Sequence, residues 1–367
     1  MGILSTLWSS ITGSLFPAIE EEMDPLTEKQ RELIAVCELA QLDKHMARYT
    51  GHWLGRHKKP RIDFAKAFVA KAVYNFPTTK LLVENLRDSG NLRRLCGWEK
   101  KCDVPSEPTF SRAFAEFAAS DLGDIVHNAM FRDRRSNKLA GHINRDATAI
   151  VAREKAAKKP AANSDKPAKP KRKRGRPRRG EMPEPKEIKR MDLQGGRSLE
   201  DNLKDLPAAC DWGAKRNSQG KQESWKGYKL HVDCVDGSIP VSVILTSASL
   251  HDSQVAIPLA QISADRVVNL YDLMDSAYDA GPIDAFSRSL GHVPIIDPNP
   301  RRGEARTMDP ATARRYDERT DAERFNSLLK DNYGGRYVRV KGNAKVKLHL
   351  MFGVIAICAM QLIRMLE

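Results

Sequence analysis

Residues 316–330 read Tyr-Asp-Glu-Arg-Thr-Asp-Ala-Glu-Arg-Phe-Asn-Ser-Leu-Leu-Lys, and this stretch predicts a helix with two different faces. At about 100° per residue, four polar residues fall within about 60° of one another on a helical wheel. They are Tyr316, Arg319, Glu323 and Lys330. The apolar residues fall on the opposite side, where a core would bury them. They are Ala322, Phe325, Leu328 and Leu329.

The polar face, with one carboxylate among two cations and a phenol, has two interpretations. An ordinary solvated helix face held by salt bridges has the same composition. A metal-dependent enzyme acting on phosphodiesters needs the same mix, with the carboxylate on Mg²⁺ and the Arg, Lys and Tyr side chains on backbone phosphates. The helix alone does not decide between them.

Positive charge is concentrated in one segment of the 367-residue chain. Residues 151–180 contain thirteen Lys and Arg against two acidic residues, so they supply +11 of the net charge of +14. A localised excess of this kind indicates a polyanion such as nucleic acid as the partner. The length predicts two or three structural units, and a hydrophobic fraction of 41% is enough for real cores.

Neither zinc nor a membrane is expected from the sequence. The six cysteines form no Cys-x-x-Cys pair, which argues against a zinc site. The first 28 residues contain no Lys or Arg, so they lack the positive start of a signal peptide. The apolar stretch 348–366 is interrupted by His349, Gln361 and Arg364, which favours a buried C-terminal helix in a soluble, cytoplasmic protein.

Changes in pattern predict the domain organisation. Residues 1–25 are expected to be a flexible leader, and residues 26–136 an all-α domain. Short helices joined by tight turns suit a helix-turn-helix module, but a plain helical support domain gives the same pattern. Residues 137–367 are expected to form a second domain. It is interrupted at residues 151–206 by a basic segment without periodicity, expected to be a disordered insertion.

Within this insertion, a basic run surrounds a Gly-Arg-Pro core. The central residues are Arg174, Gly175, Arg176 and Pro177. They resemble an AT-hook, whose extended Arg-Pro backbone enters the narrow minor groove of A·T-rich DNA. A generic basic tether that contacts phosphates without sequence preference remains an equal alternative.

The catalytic region predicts a mixed α/β fold with a central sheet, because strand-like and helical patterns alternate along it. The predicted strands are 143–150, 224–234, 239–246, 266–274 and 293–296. The predicted helices are 252–262, 283–290 and 316–330.

Three acidic residues occupy notable positions in this pattern. Asp146 lies on the first strand, Asp275 at the end of a buried strand, and Glu323 on the helix quoted above. Carboxylates at strand ends collect at one edge of an α/β sheet. There, three of them can hold two Mg²⁺ about 3.5–4 Å apart. Taken singly, each residue has a simpler explanation. Asp146 can be a turn or cap residue, Asp275 a helix N-cap and Glu323 a salt-bridge partner.

The chain resembles bacterial insertion-sequence transposases of the DDE type, which have a ribonuclease-H-like catalytic fold. The helix fits the family signature Y-x2-R-x3-E-x6-K at every position. Asp146-Ala147-Thr148 resembles the first catalytic motif, and residues 275–279 resemble the second, D-x-G-Y-D, with Ala277 in place of Gly. Residues 225–231 and 250–253 also resemble family motifs and are interpreted as fold and DNA-edge positions.

The resemblance implies an enzyme that cuts DNA at transposon ends and joins the 3′-OH to target DNA. Asp146, Asp275 and Glu323 would bind Mg²⁺, with Mn²⁺ as a substitute, while Tyr316, Arg319 and Lys330 would hold phosphates. It also implies double-stranded DNA as partner, a homodimer in the complex that pairs two ends, and a place in the bacterial nucleoid. By the same resemblance, residues 26–136 would bind DNA or mediate dimerisation, and residues 137–367 would form the ribonuclease-H-like catalytic domain. Two alternatives stay open: a nuclease of the same fold without strand transfer, and a catalytically silent DNA-binding architectural or regulatory protein.

Overall fold

The computed structural model of the chain describes six stretches, and the statements below concern these residues. They are residues 3–49, 58–132, 139–157, 189–216, 219–299 and 307–366. The AT-hook-like residues 174–177 lie outside them.

The first part of the chain is helical, as predicted. Its α-helices are α1 (Ile3–Ser10), α2 (Phe16–Glu22), α3 (Glu28–Ala40), α4 (Arg61–Val73), α5 (Thr79–Asp88), α6 (Gly90–Leu95), α7 (Glu107–Ala119) and α8 (Leu122–Arg132). Local chemistry sets several of the boundaries. Thr27 and Gln30 form a capping box at the start of α3, and the Thr78 side chain caps α5. On α7, Phe110, Phe114 and Phe117 lie on one side of the helix and are buried, as their spacing predicts.

The N-terminal residues are helical, whereas the sequence predicts a flexible leader. A π-helix, Ile11–Leu15, joins α1 to α2. The side chains of Leu4 and Ile11 are buried. Burial of these apolar side chains stabilises the helix. The sequence is only weakly amphipathic, so its pattern does not predict that helix.

A mixed six-stranded sheet follows. Its strands are β1 (Leu139–Val151), β2 (Asp211–Arg216), β3 (Gln222–Val235), β4 (Ile239–Ser247), β5 (Val268–Met274) and β6 (Val293–Ile296). Strands β1, β5 and β6 are parallel neighbours, and β3 pairs antiparallel with β1. Both β2 and β4 pair with β3. This confirms the mixed α/β fold preceded by helices, the arrangement expected of a ribonuclease-H-like domain.

Seven further helices accompany the sheet. They are α9 (Arg190–Gln194), α10 (Leu199–Lys204), α11 (Ala256–Arg266), α12 (Gly281–Ser289), α13 (Pro310–Tyr316), α14 (Thr320–Asp331) and α15 (Asn343–Arg364). Helix α15 contacts α3, α4, α7, α8 and β4. It is apolar and long enough to cross a membrane, but 89% of its most apolar window is buried in the structure. The helix thus forms the centre of a hydrophobic core that joins the N-terminal helices to the sheet.

Four elements of the second half of the chain differ from the sequence-based expectation. Helices α9 and α10 lie within the segment predicted to be a structureless insertion, and strand β2 was not predicted. The quoted stretch 316–330 is not one continuous α-helix, because a 3₁₀ turn, Asp317–Arg319, separates α13 from α14. Short elements of this kind carry too few residues for a periodic pattern, so tertiary contacts decide them.

Candidate active site

Pairing of two parallel strands brings Asp146 and Asp275 together. Arg145 of β1 is the register partner of Met274 of β5, so the two aspartates follow one residue later on neighbouring strands. Adjacent strands lie about 4.8 Å apart, and successive side chains point to opposite faces. The Arg145 guanidinium and the Met274 sulfur are in contact on one face, at 3.4 Å. Both aspartates therefore belong to the other face.

Helix α14 covers this face and carries Glu323. Ala322, Phe325 and Leu329 are fully buried beneath it, as the sequence predicts for its apolar side. The buried Asp321 carboxylate fixes the start of the helix, because it accepts hydrogen bonds from Gly237 N (3.2 Å) and Ser238 Oγ (2.8 Å) in the β3–β4 turn. This anchor sets which residues of α14 face β1.

A direct hydrogen bond joins α14 to the first aspartate. Asn326 Nδ2 donates to Asp146 Oδ2 at 2.9 Å. Asn326 is buried, and its carbonyl oxygen Oδ1 has no hydrogen-bond partner among the described residues. Buried polar atoms are rarely left unsatisfied, so this oxygen can accept one further donor or a cation.

Arg319 lies among the three carboxylates. Its Nη2 atom donates to Glu323 Oε1 at 2.7 Å, and its guanidinium stacks over the Tyr316 ring at 5.6 Å. Burial opposes the charge of Arg319, but the neighbouring phenol and carboxylates outweigh burial and raise its pKa. Those carboxylates include Asp146 and Asp275 as well as Glu323. Arg319 thus partly neutralises an acidic cluster.

Burial and neighbouring charges make ionisation of Asp146 and Asp275 costly. Burial, followed by repulsion from Asp275 and Glu323, raises the pKa of Asp146 to about 6. The pKa of Asp275 is also raised, mainly by burial and despite the hydrogen bond it accepts from Ala277 N at 2.9 Å. Raised carboxylate pKa values in one cluster are typical of functional sites.

Tyr316 and Lys330 border the same region. Burial raises the pKa of the half-buried Tyr316 to about 12, so it carries its proton at neutral pH. The pKa of Lys330 is lowered by burial and then by repulsion from Lys215 and Arg336. Lys330 therefore belongs to a group of positive charges beside the acidic cluster.

The donor chemistry of the site fits a divalent cation, although its present geometry does not form a closed ligand set. Among the described residues, no three His, Cys, Asp or Glu side chains are placed to hold a metal ion together. Arg319 pairs with Glu323 instead. The donors near Arg319 are carboxylate oxygens, and hard cations such as Mg²⁺ prefer oxygen ligands. Repulsion from Asp275 and Glu323 contributes, after burial, to the raised pKa of Asp146, and a bound cation would relieve that repulsion.

The simpler explanations of the three acidic residues also hold in the structure. Asp275 caps the short 3₁₀ helix Ser276–Tyr278, and Glu323 forms a salt bridge. Their convergence with Asp146 is the additional finding. Sequence reasoning missed Asn326, although its position one turn after Glu323 placed it on a neighbouring part of the helix surface.

Two family models match the chain. A transposase DDE domain matches residues 190–359, and a transposase domain known as DUF772 matches residues 19–116. The first match includes the elements with Asp275 and Glu323 and begins after β1, which carries Asp146. No curated protein and no solved structure gives a match. The two consecutive transposase matches, together with the mixed sheet and its helical N-terminal region, show that the chain belongs to the insertion-sequence transposases of the DDE type.

Proposed function

We propose that this transposase cuts DNA at the ends of its element with Mg²⁺, for which Mn²⁺ substitutes, and joins the resulting 3′-OH to target DNA. DDE transposases normally use divalent metal ions. The observation that supports the proposal is that Asp146 on β1, Asp275 directly after β5 and Glu323 on α14 all lie near enough to Arg319 to raise its pKa. Three carboxylates from separate elements suit a two-metal phosphoryl-transfer site.

In this proposal the three carboxylates hold the metal, which supplies the Lewis acidity that phosphoryl transfer needs. Asn326 holds Oδ2 of Asp146 and so orients that carboxylate. Residues that fix a metal ligand from behind are typical of such sites. The 3₁₀ turn before α14 sets where Arg319 meets the cluster.

The cations and the phenol of the same helical region bind the DNA backbone next to the cut. Arg319 offers a planar fork that matches a phosphate, and Lys330 offers a point charge. Tyr316 is protonated at neutral pH and can donate a hydrogen bond to a phosphate oxygen. Arg319 lies within reach of both the carboxylates and an incoming phosphate.

The same proposal assigns a partner, an oligomeric state and a role for each domain. The partner is double-stranded DNA at the bacterial nucleoid, and two copies of the chain pair two element ends. Residues 26–136 form the DNA-binding or dimerisation domain, and residues 137–367 the catalytic domain. The AT-hook-like residues 174–177 add affinity for A·T-rich DNA or for phosphates.

The test is cleavage of DNA that carries the flanking terminal repeats, comparing wild type with Glu323→Gln. Glu318→Gln is a matched control, because it removes the same charge from the exposed side of the preceding turn. We expect Mg²⁺-dependent nicking by wild type and the control, and none by Glu323→Gln, which still binds the DNA. Strand transfer is read from joined products in the same reaction.

Two results would overturn parts of the proposal. Nicking without joined products, with target DNA in excess, would indicate a nuclease of the same fold. Equal binding by all three proteins, with no cleavage in Mg²⁺ or Mn²⁺, would indicate an architectural DNA-binding protein.

A further inference from the structure

The two aspartates of the candidate active site lie one residue beyond the last pair between their strands. The parallel pairing of β1 with β5 ends at Arg145 and Met274, and the pairing of β5 with β6 also ends at Met274. Asp146 is still held in the sheet, because β1 continues to pair with β3 as far as Val151. None of the described strands pairs with Asp275. Its position relative to Asp146 is therefore not set by a sheet ladder.

Arg145 connects the ends of these strands from the opposite face of the sheet. Its register partner on β3 is Asp233. The Arg145 Nε and Nη2 atoms donate to Oδ1 and Oδ2 of Asp233, at 2.7 and 2.8 Å. The third nitrogen, Nη1, donates to the Met274 sulfur at 3.4 Å. One planar guanidinium thus joins β1, β3 and β5 at the last paired position before the aspartates.

The Arg145–Asp233 ion pair is fully buried and has a complete set of partners. The two side chains are 2% and 0% exposed. Burial opposes the charge of Arg145, but Asp233 outweighs burial and raises the pKa of the guanidinium, which is therefore charged at neutral pH. Asp233 Oδ2 also accepts from Ser263 Oγ of α11 at 2.7 Å, and Ser263 bonds Ser242 of β4 at 2.8 Å. The pair is thus fixed to the helix that covers this face.

Stability alone does not account for a charged pair at this place. The loss of hydration offsets much of the attraction between two buried charges, and apolar residues of similar size are often as stable. Apolar contacts are also non-directional, whereas the planar fork of an arginine fixes both a distance and an angle. A directional contact suits a strand end that has no further ladder partner.

We propose that Arg145 is a positioning residue of the active site. Its fork, anchored on Asp233, holds the end of β5 against β1 and so sets the separation of Asp146 and Asp275 for the metal ion. Arg145 is buried on the opposite face and acts only through the strands. The inference rests on the proposed function, because that function makes the two aspartates metal ligands.

The test compares three variants of the full-length protein. Arg145→Met/Asp233→Val replaces both charges by apolar groups, and Arg145→Lys keeps the charge but loses the fork. The matched control is Ile143→Val, which shortens a buried side chain on the same face of β1, two residues farther from Asp146.

Three quantities are measured for each variant. The first is the thermal midpoint of unfolding. The second is amide hydrogen exchange of residues 275–278 in the metal-free protein, which reports local opening of the turn that follows β5. The third is the affinity for Mn²⁺, read from the electron paramagnetic resonance signal of free Mn²⁺, in the presence of element-end DNA that is already cut.

We expect Arg145→Met/Asp233→Val to unfold at or above the wild-type temperature, because apolar residues replace the buried pair. Residues 275–278 should nonetheless exchange faster, and the Mn²⁺ affinity should fall about 10- to 100-fold, as when a residue that orients a metal ligand is lost. Arg145→Lys should show the same two local effects, since one ammonium does not reproduce the fork. Ile143→Val should unfold at a lower temperature, with wild-type exchange at 275–278 and wild-type affinity.

Two outcomes would remove this role from Arg145. One is wild-type exchange and wild-type Mn²⁺ affinity in the double variant or in Arg145→Lys. The other is an equal loss of affinity in Ile143→Val, which would make the effect one of general stability. Asp146→Asn separates this inference from the proposed function. If that variant binds Mn²⁺ as wild type does, the metal assignment fails, whereas the exchange data still decide whether Arg145 holds the end of β5.

Discussion

Replacing Asn326 by alanine removes the side-chain amide that donates to Asp146 Oδ2 at 2.9 Å. A hydrogen bond to a charged group contributes about 1.5–3 kcal/mol. At 1.36 kcal/mol per tenfold change, this corresponds to about a 10- to 150-fold weaker apparent affinity for the metal. The same range, about 10- to 100-fold, is typical when a residue that orients a metal ligand is lost.

The assay is the initial rate of cleavage of element-end DNA over a Mg²⁺ titration, for wild type, Asn326→Ala and the control Ser327→Ala. Ser327 is the exposed neighbour on α14 and bonds Asp331 instead of Asp146. We expect Asn326→Ala to need about 10- to 100-fold more Mg²⁺ for half-maximal rate and to recover most of its rate at saturation. A purely structural role would lower the rate equally at every Mg²⁺ concentration. A titration midpoint equal to that of wild type would refute the reasoning.

Three further predictions concern stability. Burial lowers the pKa of His349 to about 3. The neutral imidazole therefore contributes its full stabilisation above the unfolded pKa of about 6.5, and the free energy of unfolding falls as the pH drops below that value. At pH 5 this costs about 2 kcal/mol, and His349→Gln should show a smaller drop in urea unfolding between pH 7.5 and 5. Asp321→Ala removes the carboxylate that accepts hydrogen bonds from Gly237 N and Ser238 Oγ in the β3–β4 turn. It should lower the free energy of unfolding by about 3 kcal/mol, measured by urea denaturation. Gly227→Ala meets Ile150 O at 2.0 Å and should lower the thermal midpoint, whereas Gly196→Ala, with open space around it, should not.

Much of the helical region could be predicted because its signals are local. Thr27 and Thr78 are residue types that favour helix N-caps, and they cap α3 and α5, while the spacing of Phe110, Phe114 and Phe117 matches the buried face of α7. Such signals depend on residues within one or two turns.

Strand β2 and the small helices α9 and α10 could not be predicted, because they depend on contacts outside their own short sequences. Strand β2 has only six residues, and its partner begins after a short turn. Helices α9 and α10 bury the polar residues Gln194 and Asn202, which a hydropathy pattern assigns to solvent. Asn202 Nδ2 donates to Gln194 O at 2.9 Å, so their burial depends on a contact between the two segments.

The sequence by itself determined the residue types of the site and their order along the chain. Asp146, Asp275 and Glu323 could be assigned to two strands and a helix, since alternation and helical spacing are properties of neighbouring residues. Tertiary structure alone decided that strand register sets the two aspartates side by side and that Asp321 fixes the start of α14. It also decided that Arg319 turns back to Glu323 and that Asn326 reaches Asp146 across 180 residues. Contacts between distant segments depend on packing and burial, and no local pattern in the sequence encodes them.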